Sequence, residues 1–226
     1  QHASMKDQLR IERRKNQLTL EQLEMLEGKL SDLKESHELS ALHADSIPLA
    51  KKLGHGAFGD VWLADFQDKK AAVKMMTKDK VDAESIERFE AEVRLMSRLK
   101  HPCIVRFFGA VWESPDFWLV LEYCDGGSLR EHVCGGADDD DKERALRPFK
   151  LSAALDVARA MAHCNNTASF DPPLLHRDIK GDNVLMKSIA EDKQAADGRG
   201  PWQAKLGDFG EARAMEMDQE AEGEMT

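Results

Sequence analysis

Gly54, Gly56 and Gly59 stand in the string Gly54-His55-Gly56-Ala57-Phe58-Gly59-Asp60-Val61. Glycines at that spacing let backbone N–H groups approach phosphate oxygens without Cβ interference. Further on, Asp178 and Asn183 lie within His176-Arg177-Asp178-Ile179-Lys180-Gly181-Asp182-Asn183, and Asp208 opens Asp208-Phe209-Gly210. Carboxylate and amide oxygens are hard ligands. One Asp and one Asn suit Mg²⁺, which keeps waters and takes phosphate oxygens as further ligands. The chemistry within reach of these residue types is the binding and neutralisation of a polyphosphate. Gly-x-Gly-x-x-Gly alone is a weak signal, because dinucleotide-binding turns share it. Those turns run strand, glycines, helix. Here Asp60-Val61-Trp62-Leu63 has a strand pattern, so the glycines belong to a β-hairpin.

The elements that must position these residues follow from pattern. Ser46 to Lys52 leads into a first strand, and Val61–Ala64 and Ala71–Met75 read as the next two, with Asp65 to Lys70 as the turn. Residues 82–100 switch to helical period, with Ile86, Phe89, Val93, Met96 and Leu99 on one stripe and Asp82 as N-cap. Ile104–Val111 and Phe117–Tyr123 read as strands, and Gly126-Gly127 breaks the chain before a mostly helical region. Gly135 to Lys142 is expected as a surface loop whose carboxylates Asp138–Asp141 stay solvated. Leu151 to Cys164 is expected as a helix, and residues 187–203 as a polar insertion between two short strands. Lys74 follows the apolar pair Ala72-Val73, unlike the solvated Lys69, Lys70, Lys78 and Lys80. Glu92 sits on the edge of the helical stripe and Glu90 projects off it. A Lys74–Glu92 pair is therefore expected, with Glu90 as the alternative.

Taken in this order, the three motifs and Lys74 resemble the ATP site of a eukaryotic protein kinase. The resemblance implies an α+β, two-lobe fold with a β upper lobe carrying one main helix. It places the upper lobe over residues 46–124 and part of a helical lower lobe over 125–226, behind a helical extension over 1–45. It implies ATP and Mg²⁺ as cofactors. Lys74 would contact the α- and β-phosphates and pair with Glu92; Asp178 would orient the substrate hydroxyl and accept its proton; Asn183 and Asp208 would hold the metal. Lys180 resembles the serine/threonine-type catalytic loop, where the lysine also contacts the transferred group. Pro172-Pro173-Leu174-Leu175-His176 and Gly126-Gly127-Ser128-Leu129 look like the tyrosine-kinase-like group, whose Raf-like and mixed-lineage members mostly phosphorylate Ser and Thr. By the same resemblance Glu122 and Cys124 offer hinge backbone groups to adenine, and Val61, Ala72 and Leu185 sandwich its ring. Leu121 becomes the gatekeeper, and Met96, Phe107, His176 and Phe209 the regulatory spine. Arg177 resembles the arginine that holds a phosphorylated activation loop, yet Glu211 to Met225 contains no Ser, Thr or Tyr.

Composition narrows the alternatives. The chain has 226 residues, 33% of them charged, and a net charge of -10, which argues against a nucleic-acid or anionic-membrane partner because no basic face dominates. No apolar run is long enough to span a bilayer. Four cysteines without paired spacing fit reduced thiols in the cytoplasm. Residues 3–37 read as helix, with Leu23, Leu26, Leu30 and Leu33 on a seam about two heptads long, which leaves helix-mediated dimerisation or a regulator contact open. No Ala-Pro-Glu follows Asp208-Phe209-Gly210 before Thr226, so a fragment ending in the activation segment is expected. The leading reading is a Mg²⁺/ATP-dependent kinase acting on Ser/Thr of protein substrates. The alternative is a nucleotide-binding scaffold or truncated pseudokinase-like regulatory module.

Overall fold

Three strands and two reversals build the glycine-bearing part of the molecule: β2 (Leu49–Gly56), β3 (Gly59–Phe66) and β4 (Lys69–Met76). The computed structural model describes residues 41–56, 59–76, 83–113, 116–134, 140–166, 168–190 and 201–215. The chain divides into two units, Gln1–Ala41 and Leu42–Thr226. The helix expected over 3–37, the N-cap Asp82 and most of the acidic run after Glu211 lie outside the described residues. Between β3 and β4, Gln67 and Asp68 have φ of 47° and 61°. Two consecutive left-handed residues twist in the sense that flanking strands require. In β4 the buried side chains Ala71 and Val73 alternate with half-buried Ala72 and Lys74, the pattern of a strand with one face on a core.

The hairpins join β5 (Phe107–Glu113), β6 (Asp116–Glu122) and the two-residue β1 (Ala41–Leu42) in a sheet of order β1-β5-β6-β4-β3-β2. Helix α1 (Ala83–Arg98) buries Phe89, Val93 and Met96 of its predicted stripe and half-buries Ile86, and Leu99 is buried just beyond its end. Phe89 meets Trp112 and Phe117 edge-on, with ring centroids 5.0 and 5.7 Å apart. Further along, Met96 and Leu99 enter a second core with Ile104, Leu206 and Phe209. One helix thus anchors in two cores.

The second half holds α2 (Leu129–Cys134), α3 (Asp140–Cys164), β7 (Leu174–Leu175), a 3-10 turn Gly181–Asn183, β8 (Val184–Ser188), β9 (Trp202–Leu206) and β10 (Arg213–Ala214). β8 pairs with β9, and β7 with β10, both antiparallel. The strand expected from Ile104 starts later. Val105 N–H donates to Leu206 O at 2.9 Å and Leu206 N–H to Cys103 O at 2.8 Å. Residues 103–105 thus spend their hydrogen bonds on β9 rather than on the sheet. The helix expected from Leu151 begins at Asp140 instead. The helix accommodates Pro148, normally a stop signal.

On α3, Leu151 and Leu155 are 65% and 51% exposed. Val157 and Met161 on the same helix pack against the core cluster around Met96 and Leu206. Replacing Leu151 and Leu155 together by Gln should change stability by no more than roughly 0.5 kcal/mol each while reducing self-association by light scattering. Ile104→Ala, at a site 1% exposed, should cost about 2–5 kcal/mol in denaturant unfolding.

Candidate active site

Register puts the site on one face of the sheet. Val61 lies opposite Lys74, and Ala72 opposite Leu121. Ala72 and Lys74 are two residues apart, so Val61, Ala72, Lys74 and Leu121 share that face. Gly54 pairs with Val61, and Gly56 with Gly59, bringing the glycine hairpin over the same end. Gly59 has φ of 144°, open in practice to glycine alone. A Cβ built at Gly54 meets no atom of the described residues within 4 Å, so packing among them makes no demand for glycine there. That free space fits a group approaching from outside. Across the hairpin, the Asp60 carboxylate receives Lys52 Nζ at 2.8 Å and His55 Nδ1 at 2.7 Å, and both contacts hold its pKa below the usual carboxylate range.

Lys74 Nζ reaches two carboxylates, Glu92 Oε1 and Asp208 Oδ1, each at 3.0 Å. Glu92, not Glu90, makes the contact, because α1 turns its 92 position into the sheet, where its side chain is 4% exposed. Burial pushes the Lys74 pKa down, but the charges of Glu92 and Asp208 outweigh it and hold the ammonium above its ordinary value. Burial raises Glu92, opposed by Lys74. Lys74 therefore stays charged, and the carboxylate bears the cost of desolvation. Glu92 Oε2 has no hydrogen-bond partner among the described residues.

Asp208 reaches Lys74 from a left-handed backbone, φ 58°, and Arg177 also stands at positive φ, 68°. Both conformations are strained for residues with a Cβ and persist because neighbours fix them. His176 supplies that fixation. Its Nδ1 accepts Asp178 N–H at 3.3 Å, so Nε2 carries the proton and donates to Gly207 O at 3.0 Å. Its ring lies 4.5 Å from Phe209, itself 1% exposed. Burial depresses the His176 pKa, keeping the imidazole neutral.

Asp178 Oδ2 accepts from Lys180 Nζ at 2.7 Å and from Asn183 Nδ2 at 2.8 Å. These bonds, Lys180 first, lower its pKa. Asn183 Nδ2 also donates to Asp178 O at 2.8 Å, which leaves the amide oxygen for another ligand. Gly207 N–H donates to Asn183 O at 2.8 Å, tying the Asn183 turn to the chain just before Asp208. Among the described residues no three His, Cys, Asp or Glu side chains cluster to hold a metal. Asn183 and Asp208 therefore fit a cation that brings ligands of its own, as Mg²⁺ on a nucleotide does.

At the end of β6, Glu122 N–H donates to Arg106 O at 2.8 Å, and the thiol of Cys124 is buried and pushed up to about 12. Leu185 lies on β8, bridged to Ser128. Two features escaped the sequence. The Glu122 side chain is ion-paired with Lys205 at 2.9 Å, and Lys205 also donates to Pro102 O at 2.7 Å. Asp156, 1% exposed, accepts Ala204 N–H at 3.2 Å and Arg159 at 3.2 Å. Lys205 and the Ala204 N–H come from a strand remote in sequence from Glu122 and Asp156, so no spacing marks those contacts; only Arg159 is local to Asp156.

A β-sheet carrying a glycine hairpin and a lysine, facing a loop with Asp178 and Asn183 and a strained Asp208, defines a protein-kinase fold. The chain belongs to the protein tyrosine and serine/threonine kinase family, whose model matches residues 47–226. It is 37% identical over 142 residues to serine/threonine-protein kinase CTR1 of Arabidopsis thaliana, covering 62% of this chain and 16% of that protein. It is 34% identical over 169 residues to probable serine/threonine-protein kinase SIS8 of the same plant, covering 75% and 14%. With the Dictyostelium discoideum stress-activated protein kinase alpha it shares 30% over 188 residues, 83% and 26% of the two chains. The chain thus spans only a minor part of each relative's length.

Lys74→Met leaves Glu92 buried without its counter-charge and should destabilise the fold by about 3–5 kcal/mol; Lys74→Met with Glu92→Leu should recover part of that in denaturant melts. His176 has a depressed folded pKa, so its contribution is complete above the ordinary histidine value of 6.5 and is lost as pH falls towards the folded value. Stability should decline below about pH 6.5, and the decline should be shallower in His176→Gln.

Proposed function

We propose that this chain is the nucleotide-binding and catalytic portion of a serine/threonine protein kinase, transferring the γ-phosphoryl group of ATP to Ser or Thr hydroxyls of protein substrates. The observation that carries this reading is the single ammonium of Lys74 held between Glu92 and Asp208, two carboxylates from distant segments. Such a cation is fixed in place to meet phosphate oxygens. Gly54, Gly56 and Gly59 present backbone N–H groups on the same side, and Val61, Ala72 and Leu185 flank the space for the adenine ring beside the backbone of Glu122 and Cys124. Asn183 and Asp208 would hold Mg²⁺, which would supply positive charge to offset that of the phosphates. Asp178, ionised and aligned by Asn183, orients the substrate hydroxyl and takes its proton, while Lys180 beside it stabilises charge on the transferred group. The serine/threonine assignment rests on Lys180 and on relatives named as serine/threonine-protein kinases. Among the described residues no helix is long and apolar enough to cross a membrane. A cytoplasmic location agrees with three buried free cysteines.

Thermal melting with and without ATP and Mg²⁺ tests the site. A ligand at about 100 times its dissociation constant adds about 2.7 kcal/mol. That stabilisation should appear for the chain, vanish in Asp208→Ala and survive in Asp178→Asn. The same Asp178→Asn change should lower peptide phosphorylation by a factor on the order of 10² or more. Nucleotide stabilisation unaffected by Asp208→Ala would overturn the assignment, and nucleotide binding without phosphotransfer would establish the scaffold alternative.

A further inference from the structure

A cavity of about 430 Å³ opens where the end of α1, the loop into β5, the end of β6 and strand β9 meet. Its apolar lining is Phe107 and Pro102 with the edges of Met96 and Leu99, each of these last two only 2% exposed. Its charged lining is uneven, with Lys100, Arg106 and Lys205 beside Glu122, the single carboxylate among the lining residues; the Arg106 backbone N–H donates to Glu122 Oε2 at 3.3 Å and its guanidinium lies 5.9 Å from the Phe108 ring. His101 also lines it, with burial holding that imidazole below its ordinary pKa and so neutral. Lys205 is the informative group. Its side chain is only 9% exposed, and Nζ meets Glu122 Oε2 at 2.9 Å and Pro102 O at 2.7 Å. An ammonium has three donors. The third has no acceptor among the described residues, at the wall of a cavity whose size is typical of small-molecule sites.

We propose that this cavity behind the β6 end binds a small amphipathic anion, an apolar ring system bearing one carboxylate. The ring packs against Phe107 and Pro102. The carboxylate accepts the spare Lys205 N–H and draws in Lys100 and Arg106, balancing the positive charge that Glu122 alone does not neutralise. A neutral ring of equal size has the same apolar contact and lacks this pairing. Lys205 stands three residues before Asp208, so occupancy is transmitted to the nucleotide side through one short backbone segment. That coupling rests on the nucleotide reading above, whereas binding itself does not.

The test is ligand-observed NMR on the 226-residue chain with naphthalene-2-carboxylate as probe and naphthalene-2-carboxamide as its neutral counterpart. The carboxylate should bind, more tightly than the carboxamide, and remain bound when ATP is added. Lys100→Glu with Arg106→Glu, both at exposed positions, should weaken it by about tenfold or more. Ser97→Trp, which fills the cavity from α1, should abolish it. The charge-reversal pair keeps the test decisive if the tryptophan disturbs folding. Equal binding of carboxylate and carboxamide, displacement by ATP, an unchanged affinity in the charge-reversed variant, or no binding at millimolar probe would each overturn the proposal.

Discussion

One ammonium group, Lys74 Nζ, sits between carboxylates that the chain carries 18 residues after it on a helix and 134 residues after it beyond β9. Much of the remaining architecture serves that meeting. Glu92 is buried, and a buried carboxylate is tolerable only with a partner in place. The partner is in place only if α1 docks on the sheet through Phe89 and Val93 and on the second core through Met96 and Leu99. Asp208 in turn arrives only because its backbone takes up a left-handed conformation that costs energy. Sheet, helix and the Asp208 turn are thus coupled through one charge.

Neutral and ionic ties behind the site hold this arrangement. His176 bonds at one nitrogen to the chain beside Asp178 and at the other to the carbonyl before Asp208, so one uncharged ring sets the spacing of two acidic groups. Asn183 repeats the device, donating to Asp178 by its side chain and accepting Gly207 N–H at its carbonyl. On the far side, Lys205 fastens β9 to the end of β6 and to Pro102. Hydrogen-bonded polar groups in low dielectric are stronger than in water and costly to leave unpaired, which gives the loop its definition despite short regular elements.

The local units were legible in the residues. Helix α1 spans what its stripe foretold, because a 3.6-residue period with apolar side chains has one stable use. The β3–β4 hairpin follows its alternation. Longer-range choices were not legible. Ile104 belongs to an apolar run that reads as strand, yet its neighbours bond to Leu206, a competition between partners that a sequence window does not contain. The start of α3 was misplaced because the acidic run Asp138–Asp141 reads as a solvated loop, whereas the helix already begins at Asp140. Lys205, in a strand otherwise polar and apolar by turns, carries no mark of burial.

The sequence by itself determined the chemical inventory: glycines where a backbone must lie bare, a lysine on an apolar strand, and oxygen ligands in two short strings. Those properties are local, set by side-chain type and by neighbours a few positions away. Which glutamate meets Lys74 could be argued from helical phase. The simultaneous reach of Asp208, the tautomer of His176, the burial of Asp156 and the Glu122–Lys205 tie were decided by the tertiary structure alone. Each depends on groups from separate elements being brought within hydrogen-bonding distance and out of water, where pairing strengthens and an unmatched charge becomes costly.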